Sequence, residues 1–272
     1  MPATNDGLGA LRLWGQTGDR PTVWIAAADP VHIAAGLDHL RLHCLWPEEW
    51  QDRELRVLFD ELQSALADDD SLGFVRIGTR GYLRGDLSMP TALLSPASIN
   101  GLKITDELPA GPEAATFQKL FSEIQMTLHN SPVNQQRAEQ NKRAINSLWI
   151  WGGGLAAERQ ARDIPPLFAD DAVVRGYWNS SCAVIEPWPG TLDECVERAP
   201  QGFVAVTPDS VASAEEHADV LSTYLRDLRR ILKNSELRQL KILFRNGLTA
   251  ILSASQIFRF WRRNTPFPAQ ER

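Results

Sequence analysis

Cysteine is scarce in this chain of 272 residues: there are three, Cys44, Cys182 and Cys195. None is spaced as a CxxC pair, so neither a disulfide framework nor a zinc knuckle is readable, and a reduced, cytoplasmic setting is expected. No stretch of about 18 apolar residues occurs, which excludes a membrane-spanning helix on sequence grounds. The first twenty residues carry Asp6 and Asp19 and no long apolar run, so they do not read as a signal peptide. Basic charge is also short. With 28 Lys and Arg against 34 Asp and Glu, the formal net charge is -6. A general nucleic-acid binder needs a basic face to neutralise phosphates, and none is expected here. One local basic patch stands out near the C-terminus, Arg259-Phe260-Trp261-Arg262-Arg263.

What the chain does have is 43% hydrophobic residues and nine tryptophans. That suffices for a sizeable core, and each tryptophan either buries a large area or marks a binding surface. Residues 1–20 read as a loose lead. Thr22–Ala28 reads as a buried strand stopped by Asp29-Pro30, because proline cannot continue a ladder. His39–Leu45 alternates as a half-buried strand, with His39, Arg41 and His43 on a solvated face. Leu55, Leu58, Leu62 and Leu66 give a helix over residues 47–68 its apolar stripe, closed by Asp68, Asp69 and Asp70. Two short strands follow over 73–79 and 81–84, then a loop-rich stretch over 86–111. Phe117, Leu120, Phe121, Ile124 and Leu128 predict a helix over 112–130, and a short polar helix follows Pro132. Ser147–Trp151 reads as a strand running into Gly152, Gly153 and Gly154. A helix is expected over 170–180, and a strand over 203–206.

A third amphipathic helix is expected over 213–233, with Ser213 and Glu216 as a capping box. Alternating runs on either side of Asn246-Gly247 predict a two-residue hairpin turn. A last helix is expected over 255–263. The succession of strands and helices implies an α/β fold, a mixed sheet with helices.

The densest collection of polar chemistry lies in residues 125–154. His129, Asn134, Arg137 and Asn146 precede the three glycines. Successive glycine N–H groups can form a concave anion nest, and Arg137 can clamp a phosphate or carboxylate. On that reading Arg137 and Gly152–Gly154 face one cavity. The competing reading makes the glycines a closed turn, the asparagines caps, and Arg137 the partner of a carboxylate. Asp29 and His32, just past the first strand, form a second candidate pair that could project into a cleft. Their alternative role is a turn cap and a packed strand edge.

The segment Leu128–Gly154 resembles one shared by archaeal-type cofactor-independent phosphoglycerate mutases. A helix there ends in a turn with an Asn and an Arg, then leads through another Asn to a Trp-Leu-Trp-Gly-like strand. The chain is similar over more of its length to a bacterial family of RpfE-type regulatory proteins. Ala28-Asp29-Pro30-Val31-His32, the Leu108–Met126 region and Phe260-Trp261-Arg262-Arg263 carry that likeness. It implies a reduced alkaline-phosphatase/phosphoglycerate-mutase-like architecture, with residues 21–155 as the mutase-like region and residues 156–272 packed on the same sheet. The mutase pattern also implies a nucleophilic Ser and Asp and His ligands for divalent metals, and this sequence has no counterpart for them. Its early Asp6-Gly7 has no strand before it, and none of its five histidines follows an Asp by four residues. Ala27 stands where the RpfE-type pattern has an Arg, and Asn130-Ser131-Pro132 where a His-Pro is usual.

The resulting expectation is a non-catalytic regulatory or ligand-binding protein with no cofactor and no metal. It would take an anionic small molecule, or a protein partner through its tryptophan-rich or C-terminal basic surface. The alternative is a metal-independent phosphoryl-transfer or hydrolytic enzyme built on Asp29, His32, His129 and Arg137.

Overall fold

The computed structural model describes residues 7–36, 39–67, 71–85, 89–208, 214–234, 237–244 and 247–253. The chain divides into two compact units. One comprises Met1–Ile164 and Asp171–Ala183, the other Pro165–Asp170 and Val184–Arg272. Both contain strands and helices, so the protein is α/β, as its alternating pattern implies.

The first unit is built around β1 (Trp24–Ala35). It pairs antiparallel with β2 (Leu40–Cys44), β4 (Arg80–Gly85) and β5 (Ser147–Gly154), and β3 (Leu72–Ile77) extends the sheet beyond β4. The strand does not stop at Asp29-Pro30 as the sequence suggests. Its ladder to β4 ends at Ala27 and its ladder to β2 begins at Val31, while β5 runs opposite both. Pro30 therefore sits where β1 has a partner on one side alone, the setting in which a missing N–H is tolerated inside a strand.

Two helices supply the apolar cover. In α2 (Asp52–Leu66), Leu55, Leu58, Phe59 and Leu62 are buried. In α3 (Ala115–His129), Phe117, Leu120, Phe121, Ile124 and Leu128 are buried. Both stripes recur at helical spacing and meet one core with Val31, Leu42, Leu83, Leu148 and Trp149. Short 3-10 turns, Pro47–Glu49 and Pro112–Ala114, occupy the starts of the two stretches read as continuous helices. The polar helix after Pro132 is α4 (Pro132–Glu139).

The presumed loose lead contains a helix, α1 (Leu8–Thr17), in which Ala10 and Trp14 are fully buried. Glycine permits this. A Cβ at Gly9 would lie 2.5 Å from the Ala27 nitrogen, so α1 rests on the backbone of β1. At Gly15 a Cβ would meet the Ala172 carbonyl oxygen at 1.9 Å, and at Gly176 the Leu11 carbonyl oxygen at 1.8 Å. Gly176 lies in α5 (Ala172–Ser180), so α1 and α5 cross with almost no side-chain volume between them. The sequence offers no amphipathic stripe there because the contact depends on what is missing from the residues.

The second unit holds β6 (Leu167–Phe168), β7 (Ile185–Glu186), α6 (Leu192–Arg198), β8 (Val204–Ala205), α7 (Ala214–Lys233), β9 (Gln239–Leu243) and β10 (Thr249–Ser253). Strands β7, β6 and β8 form a parallel sheet of their own. The expectation that residues 156–272 complete the first sheet is thus corrected. Parallel and antiparallel pairing are separated into different sheets. Strands β9 and β10 pair antiparallel as expected. Beyond this ladder the Phe244 N–H meets the Leu248 carbonyl at 2.9 Å. Gly247 takes the positive φ of 82°. Asn246, the Ser213 cap, Asp68–Asp70 and the helix expected over 255–263 with its Arg259–Arg263 patch lie outside the described residues.

Candidate functional site

The charged candidates on β1 and α4 are both bound inward. Asp29 is buried, and both its carboxylate oxygens accept from the Arg12 guanidinium, at 2.7 and 2.8 Å. The Trp151 indole donates to the same carboxylate at 2.8 Å, and Arg12 donates onward to the Gly81 carbonyl at 2.6 Å. The guanidinium lies 4.7 Å from the Tyr82 ring centroid and 5.5 Å from that of Trp151, so cation–π contacts close the cage. Burial, the first cause, holds the Tyr82 hydroxyl above its ordinary range, with the Asp29 charge adding to it and Arg12 opposing. Sequence reasoning missed Arg12 because its helix was read as a loose lead.

Arg137 is 1% exposed. It donates to both Glu54 carboxylate oxygens at 3.1 and 3.0 Å, to the Glu49 carbonyl at 3.0 Å and to the Arg143 carbonyl at 2.7 Å. Asn134 donates to the Leu128 and Ile145 carbonyls at 2.7 and 2.9 Å and accepts from the Ile145 N–H at 2.8 Å. Asn146 grips the backbone of Ile33 in the same two-way manner, at 2.7 and 2.9 Å. These amides act as extra peptide groups that join the approach to β5 onto α3 and β1.

The glycines do not form a nest. They continue β5, and their amides are already used: Gly152 N–H reaches the Ala92 carbonyl and Gly153 N–H the Thr91 hydroxyl, each at 2.9 Å. A Cβ on Gly153 would come within 2.3 Å of the Trp24 ring, which fills the space an anion would need. Arg137 reaches the segment preceding β5, while Gly153 lies near its far end. A strand advances about 3.3 Å per residue, so the two are separated by roughly 20 Å. The shared cavity expected for Arg137 and Gly152–Gly154 is therefore corrected. The rule that ligands gather beyond the carboxyl ends of strands belongs to parallel sheets, and this sheet is antiparallel.

Two expected site residues do meet. His129 and Asn146 line a cavity of about 500 Å³ between the end of α3 and the β1–β2 edge, with Gln125, Asn130 and Met126 around them. Among the described residues His129 is the sole ionisable group in that lining, so they offer the groove mainly neutral hydrogen-bonding groups beside an exposed Met126. His32 lies elsewhere. Its Nδ1 is 3.0 Å from the Ala144 carbonyl, and its ring centroid is 6.1 Å from that of His43, its partner across the β1–β2 ladder. Asp29, His32, His129 and Arg137 thus each engage different neighbours. Among the described residues, no group of three or more His, Cys, Asp or Glu side chains is placed to hold a metal ion. No helix of the described residues is long and apolar enough to cross a membrane.

No family model matches the chain. It is 30% identical over 135 residues to a 2,3-bisphosphoglycerate-independent phosphoglycerate mutase of Methanosarcina barkeri, across 48% of this chain and 34% of that protein. The mutase of Methanosarcina mazei is 31% identical over 105 residues, across 38% of this chain and 26% of its own. A probable mutase of the same description from Geobacter sulfurreducens is 30% identical over 106 residues, with the same shares. The matches thus span about a third or less of these relatives. Of solved structures, the cofactor-independent phosphoglycerate mutase from Thermoplasma acidophilum gives a TM-score of 0.41 at 16% identity, covering 82% of this chain and 64% of that one. The PH0037 protein from Pyrococcus horikoshii gives 0.41 at 16%, covering 84% and 65%. Over nearly half its length, the chain is related in sequence to the 2,3-bisphosphoglycerate-independent phosphoglycerate mutases.

Proposed function

We propose that this chain is a non-catalytic regulatory or ligand-binding protein of the RpfE-type, descended from a phosphoglycerate-mutase-like ancestor whose alkaline-phosphatase-like core has been reduced. The observation that carries the reading is the inward pairing of Asp29 with Arg12 and of Arg137 with Glu54. A general acid, base or phosphate clamp has to present its group to a substrate. Here both charged groups from the resembling segments are buried in ion pairs that join separate elements of the first unit. The sequence motif then serves as a framework on which a binding surface sits. The absence of the mutase-type Asp and His ligand pattern from the sequence supports the same reading, as does the mainly neutral lining of the groove beside His129.

The direct test is to supply purified protein with manganese or magnesium and assay interconversion of 2- and 3-phosphoglycerate, alongside thermal-shift measurements over small anions. No turnover, with a rise in unfolding temperature for some of the anions, is the expected result, since a ligand of the native state stabilises it. Mutase turnover that persists in protein from a host lacking its own mutase would overturn the proposal.

A further inference from the structure

We propose that the exposed side of the β1–β2 ladder, where His32 faces His43 with Arg41 and Arg143 flanking them in the chain, binds a small dianion of the phosphate-monoester class. The inference deepens the ligand-binding reading above and rests on it, but it places the ligand away from the glycine strand.

Alternation along the two strands sets up the cluster. Val31, Ile33, Leu42 and Cys44 are buried, so the residues between them, His32 and His43, project to the opposite side and are only half-buried. They stand directly across the ladder from one another, with ring centroids 6.1 Å apart. Arg41, two residues before His43, shares that side and is exposed. Arg143 is exposed and adjoins Ala144, whose carbonyl receives the Nδ1–H of His32. A carbonyl oxygen only accepts, so this bond fixes the neutral His32 tautomer. Protonation then adds a second donor, Nε2–H.

Among the described residues, the charges acting on His43 have one sign. Its pKa is lowered first by burial, then by the charges of Arg143, of His32 in its protonated form, and of Arg41. Nearby, Lys103 bridges Arg41 through its backbone, and its ammonium lies 4.0 Å from Asp106. Arg41 also donates to His39 at 2.9 Å and to the Gly101 carbonyl at 3.0 Å, which holds its guanidinium in place. Among the described residues the charges acting on His43 are cationic; cations held together repel, and a dianion seated between them removes that repulsion. Two planar guanidinium groups and two imidazolium N–H groups match the several acceptor oxygens of a phosphate. A dianion favours the protonated histidines, so binding strengthens as pH falls.

Sulfate is the sharper first probe because its charge is constant between pH 5 and 8, leaving any pH dependence to the protein. Sulfate and inorganic phosphate should be titrated into the full chain at pH 5.5 and 8, following the histidine ring resonances by NMR. Resonances of His32 and His43 are expected to move. Sulfate affinity should fall by about tenfold or more at pH 8, and by a similar factor in Arg143→Ala at pH 5.5, the loss of one charge-assisted contact. Arg198→Ala, on the second unit, serves as the matched charge control and should leave affinity unchanged. His43→Gln should remove most of the pH dependence while keeping the fold, judged by circular dichroism. Equal affinity at both pH values, or equal losses in Arg143→Ala and Arg198→Ala, would overturn the site. If anions still stabilise His43→Gln and Arg143→Ala as strongly as the parent, this site is wrong while the ligand-binding reading stands. If no anion binds the parent chain at either pH, the anion reading of both falls.

Discussion

The Arg137 guanidinium closes on the Glu54 carboxylate, with both oxygens within 3.1 Å of one nitrogen, and thereby ties α4 to the first turn of α2. The same carboxylate also receives the Gln51 N–H at 2.6 Å, so it caps α2 as well as neutralising Arg137. Removing one member of a buried pair leaves the other charge unpaired, at a cost of about 3–5 kcal/mol. Arg137→Ala should lower the urea midpoint by that scale without changing affinity for any anion. An anion affinity that drops while stability holds would return Arg137 to a binding role.

Asp29 gives a parallel prediction with a different chemical signature. Asp29→Asn keeps the shape but removes the charge that balances Arg12, and is expected to cost about 3 kcal/mol or more in equilibrium unfolding. A double change, Arg12→Met with Asp29→Asn, should recover part of that loss, because no buried charge remains. Strict additivity of the two single changes would argue against the pair as drawn.

The helix crossing at Gly15 and Gly176 is tested by adding one carbon. Gly15→Ala or Gly176→Ala places a methyl within 1.9 Å of a backbone oxygen of the facing helix, so the helices must separate. A loss of at least about 2 kcal/mol is expected for either, the scale of overpacking in a tight contact. The same change at Gly18, whose Cβ position is open but whose φ is 82°, isolates backbone strain from crowding.

Thiol reactivity separates the three cysteines. Burial pushes the Cys44 thiol up to about 12 and that of Cys195 up to about 11, and both are buried, whereas Cys182 is exposed. Thiolate is the reactive form. Ellman's reagent at pH 8 should therefore titrate one thiol per native chain rapidly and the other two only on unfolding. Replacing Cys182 with Ser should abolish the fast phase, and a fast phase that survives would contradict this assignment.

Much of the fold is legible in the sequence where periodicity reports burial. The leucines of α2 and the aromatic stripe of α3 announce their buried faces, and the alternation in His39–Leu45 announces β2. The sequence is silent where a contact depends on geometry between distant segments. Nothing near Arg12 advertises Asp29, 17 residues away, and nothing near Arg137 advertises Glu54, 83 residues away. Pro30 misleads because a proline is judged by its own missing N–H, while its tolerance depends on where neighbouring strands begin and end. The polar cluster in 125–154 stands out in the sequence. Its residues read equally well as ligand groups or as internal bonds until the partners of Asn134, Arg137 and Asn146 are known. His43 is the converse, an unremarkable alternating residue that gains interest from His32 across the ladder.

The path of the backbone through the two units bears on how the protein is made. The chain leaves the first unit after Ile164, contributes β6 to the second, and returns to lay α5 against α1 before departing at Ala183. Arg175 and Gly15, joined by a hydrogen bond, are 160 residues apart. During synthesis α1 therefore emerges long before the helix that covers it. Until α5 appears, the side of α1 that it covers remains bare, the kind of surface that invites aggregation of partly made chains. A polypeptide cut anywhere between 164 and 171 would stay permanently in that condition.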